Sequence, residues 1–283
     1  MSINKVMVVG SGQMGAGIAQ VFAKAGKEVY LNDISEEILM GNIAKIDKQL
    51  ASQVKKERLT EGQKEDIMSR ILPSTTYESA KEVDLVIEAA TERKDIKLSI
   101  FKQLDEMAPA HTILATNTSS LSITEIALAT KRPDKVIGMH FFNPAPVMKL
   151  VEVISGLTTS EETQATIKEL TTAIGKTGVE VRDSFGFVVN RILIPMINEA
   201  SFVLGENVAT AEEIDQAMKL GANHPLGPLA LGDLIGLDVV AAIMNVLYEG
   251  FKDPKYRVSP LIQKYFEAGW LGRKTGKGFF DYN

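Results

Sequence analysis

Six residues near the N-terminus, Gly10-Ser11-Gly12-Gln13-Met14-Gly15, limit what this chain can fold into more than any other stretch. The apolar run Lys5–Val9 leads into them. A helical pattern rich in Ala, Ile, Val and Phe, Met14–Ala25, follows, with Gly26 as its stop. Glycines at this spacing between a strand and a helix have separate uses. Gly10 permits the tight turn, Gly12 lets backbone approach a pyrophosphate, and Gly15 lets the helix pack closely on the strand. The N–H groups opening the helix, with Ser11, Gln13 and Met14 between the glycines, then face the phosphates. Asp33 follows the next apolar run, Glu28–Leu31, 23 positions after Gly10. A carboxylate there accepts from both ribose hydroxyls of an adenosine and repels a 2′-phosphate, which favours NAD over NADP. Reading the glycines as a bare turn and Asp33 as a surface acid leaves the combined pattern unexplained.

The remaining first half alternates strands and helices. A long helix over Glu36–Glu57 is expected, with Ser35 as its N-cap. Further strands are expected at Leu85–Ala89, Ile113–Thr116, Val136–Phe141, Leu150–Ile154 and Val179–Arg182. Strands separated by helices imply a parallel sheet covered on both faces. Beyond Asp183-Ser184-Phe185-Gly186 the strand-like runs nearly vanish. Val188–Leu204, Ala211–Leu220, Pro228–Tyr248 and Pro260–Ala268 read as helices. The expected fold is α/β: a Rossmann-type, doubly wound, mostly parallel sheet over residues 1–185, then an all-α domain over 186–283.

Composition excludes several functions. None of the 283 residues is cysteine, so disulfides, zinc–thiolate sites and a Cys nucleophile are ruled out, and a reducing cytoplasm suits the chain. A net charge of −5 argues against a broad nucleic-acid-binding face. No signal peptide is read at Met1–Lys5. Pro228–Tyr248 carries Asp233 and Asp238, so it reads as a buried or interface helix and not a membrane span.

Oxidising an alcohol by hydride transfer needs a base, and histidine suits that task near neutral pH. His111 follows Ala108-Pro109-Ala110 and reads as a surface turn residue. His224 precedes Pro225 in a loop. His140 closes an apolar strand in Met139-His140-Phe141-Phe142-Asn143-Pro144, where parallel sheets place ligands. A strand histidine is often a satisfied core residue, but His140 has company. Glu152 is a lone acid inside an apolar run, costly unless paired, and a His–Glu bond would satisfy both. Thr116-Asn117-Thr118-Ser119-Ser120 puts hydroxyls and an amide at another strand end, although Ser120 or Ser122 can also cap a helix. Asn190 opens the helical domain, where an amide could reach across a cleft.

Three stretches are similar to the short-chain L-3-hydroxyacyl-CoA dehydrogenase family, most of all its bacterial branch acting on 3-hydroxybutyryl-CoA. They are Asn117-Thr118-Ser119-Ser120, then His140-Phe141-Phe142-Asn143-Pro144 running into Val147–Glu152, then Gly186-Phe187-Val188-Val189-Asn190-Arg191. His224-Pro225-Leu226-Gly227-Pro228 and Gly272–Phe280 extend the likeness along the chain. The resemblance implies that His140 is the catalytic base, Glu152 its orienting partner, and Ser119 and Asn190 donors to the substrate oxygen. It further implies NAD contacts from Glu92, Lys97, Ser119, Asn143 and Lys274, with Lys97 and Ser119 also near the thioester arm. The substrate pair would be acetoacetyl-CoA and 3-hydroxybutyryl-CoA, in butyrate or butanol fermentation or in β-oxidation. A homodimer is implied as well. No metal is expected.

Lys45–Arg58 carries a net charge of +3 in an acidic protein. Such runs are usually solvated helix faces; the resemblance instead sets Lys55 or Lys56 against the phosphates of coenzyme A. Two other functions compete: a dehydrogenase of free hydroxy acids, such as an L-gulonate-type enzyme, and a non-catalytic NAD-binding protein. A sugar-nucleotide dehydrogenase working through a thiohemiacetal is excluded by the absence of cysteine.

Overall fold

A computed structural model describes residues 2–282. The chain divides into two compact units, one ending at Ser184 and the other beginning at Phe185. In the first, β1 (Lys5–Val9), α1 (Gln13–Lys24), β2 (Glu28–Asn32), α2 (Glu36–Lys55), α3 (Glu61–Ser69) and β3 (Ile71–Ser74) build one half of the sheet. The other half comes from β4 (Leu85–Glu88), α4 (Lys94–Met107), β5 (Ile113–Thr116), α5 (Ile123–Ala127), β6 (Val136–Phe141), β7 (Leu150–Ser155), α6 (Glu161–Ala173) and β8 (Thr177–Arg182). The strand order is β3-β2-β1-β4-β5-β6-β7-β8. The order reverses between β1 and β4, and ligands bind at such a switch point, beyond the carboxyl ends of the strands.

Both faces of the sheet are covered, so β1, β4 and β5 are apolar runs and not alternating ones. Leu39, Ile46 and Leu50 give α2 its buried stripe, and Ser35 Oγ accepts from Ile38 N–H as the expected cap. α2 stops at Lys55, two residues short of the expected end.

Two strands depart from expectation. β3 was unread because it contains Pro73. It lies at the sheet edge, where a missing N–H is tolerated. The β6–β7 pair is antiparallel, with His140 opposite Glu152. The eight residues between those strands are too few for a helical crossover, so the chain can only turn back.

The glycine turn is sterically tight. A Cβ on Gly15 would lie 1.8 Å from the Gly10 carbonyl oxygen, and Gly10 itself has φ +96°. Gly15→Ala is therefore expected to destabilise the first unit by roughly 1–3 kcal/mol through overpacking against backbone. A urea titration followed by circular dichroism checks this.

The second unit holds α7 (Val189–Gly205), α8 (Ala211–Gly221), α9 (Pro228–Ile235), α10 (Leu237–Phe251) and α11 (Pro260–Glu267). Its core includes Ile194, Ile197, Val240, Met244 and Leu247. The single helix expected at Pro228–Tyr248 is two helices bent by 97° at Gly236. Gly236 has φ +104°, a region L residues rarely adopt. Asp233, the acid inside that apolar run, is buried and accepts from the N–H groups of Phe279 and Phe280 and the Tyr282 hydroxyl. Among the described residues no single helix is long and apolar enough to cross a membrane.

Candidate active site

Many site residues of the first unit stand on loops at the carboxyl ends of its parallel strands; His140 lies near the end of β6, Glu152 opposite it on the antiparallel β7, and Lys97 on α4. After β1, Gly12 caps α1 with no side chain bonded to the helix N–H groups and no acid in the first turn. Nothing lies within 4 Å of the place a Gly12 Cβ would occupy. An open helix N-terminus without a competing carboxylate fits a pyrophosphate. Met14 packs at the edge of the core. Ser11 is buried, and its N–H and hydroxyl donate to Asp33 Oδ2 at 2.9 and 2.7 Å. Burial pushes the Asp33 carboxyl up, but the Ser11 side chain and the N–H groups of Ser11, Ser35 and Ile34 outweigh this and hold it below the ordinary aspartate value. The ionised carboxylate is thus fixed beside the glycine turn.

Beyond β4, Glu92 gathers the loop that follows β5. Its Oε1 accepts from Thr118 Oγ1 (2.7 Å), Ser119 N (2.8 Å), Ser119 Oγ (3.1 Å) and Ser120 Oγ (2.9 Å). Asn117 Oδ1 accepts from Phe141 N at 2.9 Å, tying that loop to the end of β6. Ser122, not Ser120, caps α5.

Lys97 differs from its expected setting along the thioester arm. It is fully buried, with its ammonium against Glu88 Oε2, 3.3 Å from Thr116 Oγ1 and 4.0 Å from Glu92 Oε2. It supports the strand ends from within. Glu88, the last residue of β4, is the functional neighbour that sequence reasoning missed. Its signal was the one that marked Glu152: a lone acid in an apolar strand.

His140 and Glu152 meet directly, with Nδ1 2.7 Å from Oε2 and both side chains buried. Opposed residues of an antiparallel pair project to one face, so sheet register alone brings together two residues twelve apart in sequence. With the carboxylate accepting at Nδ1–H, the ring can exchange a proton through its second nitrogen, Nε2. Phe142 packs its ring 4.5 Å from the imidazole. Asn143 Oδ1 accepts from Gln13 Nε2 at 3.0 Å, linking the β6 end to the glycine turn.

The other candidates lie on further elements. Lys55 and Lys56 are exposed at the end of α2. Asn190 is half-buried in the first turn of α7, and Lys274 binds both carboxylate oxygens of Asp238, both in the second unit. His111 is exposed beside Asp84, and His224 lies between α8 and α9. No cluster of side chains suited to hold a metal occurs among the described residues.

Residues 5–184 match the family described as 3-hydroxyacyl-CoA dehydrogenase, NAD binding domain, and residues 186–282 match 3-hydroxyacyl-CoA dehydrogenase, C-terminal domain. The chain belongs to the 3-hydroxyacyl-CoA dehydrogenase family. It is 58% identical to a 3-hydroxybutyryl-CoA dehydrogenase of Clostridioides difficile, over 99% of each chain. It is 45% identical to a 3-hydroxyadipyl-CoA dehydrogenase of Escherichia coli, covering 60% of that protein. The crystal structure of (S)-3-hydroxybutyryl-CoA dehydrogenase PaaH1 from Ralstonia eutropha superposes with a TM-score of 0.98 at 52% identity, over all of both chains.

Proposed function

We propose that the chain is an (S)-3-hydroxybutyryl-CoA dehydrogenase, interconverting that thioester with acetoacetyl-CoA. The buried His140–Glu152 pair at the strand ends, beside a glycine turn open to a pyrophosphate, carries the proposal. In the oxidising direction His140 takes the 3-hydroxyl proton at Nε2. In the reducing direction the imidazolium returns it to the oxygen on C3. Glu152 holds the ring through Nδ1 and balances the charge of the imidazolium. Ser119, exchanging its bond to Glu92, and Asn190 are assigned to hydrogen-bond that oxygen as charge builds on it.

Bound NAD or NADH would supply the hydride acceptor or donor. Gly10 to Gly15 would hold its pyrophosphate, Asp33 its adenosine ribose, and Glu92, Asn143 and Lys274 the remainder, with Lys97 positioning Glu92. Lys55 and Lys56 are assigned to the outer phosphates of coenzyme A. A cytoplasmic homodimer is the proposed working state, supported by the cysteine-free composition and the frequency of two-fold assemblies.

Absorbance at 340 nm with acetoacetyl-CoA tests the reading. Rapid oxidation of NADH and slow oxidation of NADPH are expected. Asp33→Ala should narrow that preference about tenfold or more, the factor that roughly 1.4 kcal/mol represents. No oxidation of either cofactor by the wild-type protein would overturn the reading.

A further inference from the structure

The stretch between β6 and β7 carries Asn143, and groups outside the acid–base pair hold it from two sides. Asn143 Oδ1 accepts from Gln13 Nε2 at 3.0 Å, which ties the side chain to the glycine turn. Beyond Asn143 the backbone closes on itself: Pro144 O accepts from the N–H groups of Val147 (2.9 Å) and Met148 (3.0 Å). That turn leaves the carbonyls of Ala145 and Met148 without a backbone donor among the described residues. Both accept from one cation, since Lys176 Nζ donates to each of them at 2.7 Å.

The backbone of Lys176 is itself fixed. Its N–H follows the end of α6 and donates to Thr171 O at 2.9 Å. The next N–H, of Thr177, donates to Lys149 O at 2.8 Å as β8 starts beside β7. The ammonium thus reaches the turn from a residue locked to the sheet. On its other side the turn lies against α1, where a Cβ on Gly17 would come within 3.2 Å of Ala145 Cβ and Pro146 Cδ. Ala145 is only 2% exposed, so water is no substitute donor for its carbonyl. Hydrogen bonds from an ammonium are stronger than neutral ones, and these two fall two and five positions after Asn143. Burial, and then the Lys24 charge, push the Lys176 ammonium below the usual lysine value. A lysine kept at that cost, with carbonyls for partners, is a backbone anchor and not a surface charge.

We infer that Lys176 is a positioning residue for the cofactor: by clamping the Ala145 and Met148 carbonyls against α1, it sets where Asn143 presents its amide to NAD(H). The inference rests on the assignment of Asn143 to the cofactor made above. Lys176 acts through the turn and Asn143, with no contact of its own to the cofactor. A loosened turn would spread the amide over several positions, and the hydrogen bond it makes would be lost in most of them.

Binding of NADH to the full chain, titrated by the fluorescence of the cofactor, is the test. Lys176→Met keeps the aliphatic stem and removes the three N–H donors. It should raise Kd for NADH about three- to tenfold, the net worth of one hydrogen bond, and no more than Asn143→Ala does. In the Asn143→Ala background Lys176→Met should add about twofold at most, because the two residues act as one unit. Lys176→Arg, which can again donate to both carbonyls, should recover most of the loss. A purely structural role would lower the melting temperature and leave Kd of the folded protein unchanged. That result would overturn the inference, and so would fully additive effects of the two substitutions. If Lys176→Met does not fold, Lys176→Gln, able to reach one of the two carbonyls, carries the same comparison. The titration needs no thioester. Wild-type protein that binds NADH but leaves acetoacetyl-CoA unreduced would fail the substrate reading alone, and the comparison above would still decide this one. Wild-type protein that does not bind NADH would remove the cofactor role of Asn143, and this inference with it.

Discussion

His140→Gln is expected to lower kcat by about 10²–10⁴, the usual contribution of a general acid–base group. Gln fills similar space and can still hydrogen-bond Glu152, so the fold and the neighbouring strand are retained. It cannot accept a proton at working pH. KM for the thioester should change little, because His140 stands at the reacting carbon and not along the coenzyme A arm. Glu152→Gln should reproduce part of the loss by weakening the hold on the ring and leaving the imidazolium without its counter-charge. Stopped-flow single turnover at 340 nm separates the chemical step from product release. A folded His140→Gln variant with full activity would remove His140 from the role.

Lys97→Met is expected to destabilise the first unit by about 3–5 kcal/mol. Lys97 and Glu88 are 1% and 0% exposed, so the change leaves a buried carboxylate without its counter-ion. Glu88 keeps the Ala90 N–H (2.9 Å) and the Thr116 hydroxyl (3.1 Å), which together do not replace a charge. Adding Glu88→Gln should recover part of the loss, since a neutral amide costs less to bury than an unpaired carboxylate. Urea denaturation of the two variants and the wild type checks both statements. Equal stability of Lys97→Met and the wild type would mean that the pair is not the structural anchor argued above.

Much of the site was legible because its residues break local rules. Gly10, Gly12 and Gly15 are out of place unless a turn and a close packing contact require them. Glu152 is out of place in an apolar strand unless it is paired. The same signal sat in Leu85-Val86-Ile87-Glu88, inside the expected strand Leu85–Ala89, but its partner Lys97 comes from a helix and not from a paired strand. Lys97 is spaced with Ile100, Phe101 and Leu104 on the buried face of α4, but a lysine at the start of such a face can also carry its ammonium out to water. Only the packing of α4 against the strand ends decides it. The sense of β7 could be reasoned from the short connection before it. Gly236 was the visible break in Pro228–Tyr248, but apolar residues on both sides carried the helical pattern across it.

The antiparallel return of β7 has a consequence for how such an enzyme can be altered. Because the proton-handling pair is fixed by strand register, the segment 142–149 touches it only through Phe142, whose ring packs against the imidazole, and residues 144–149 have no part in aligning it. Residues 144–147 line a hollow against α1 and α2 instead. Lengthening or replacing that stretch would reshape what the protein admits while the distance between imidazole and carboxylate stayed the same. A shift of one residue within β7 would do the reverse, turning Glu152 to the opposite face and disabling the reaction with the binding surface untouched. Selectivity and reactivity therefore occupy separate mutable modules, one a tether and the other a ladder, within a dozen residues of each other.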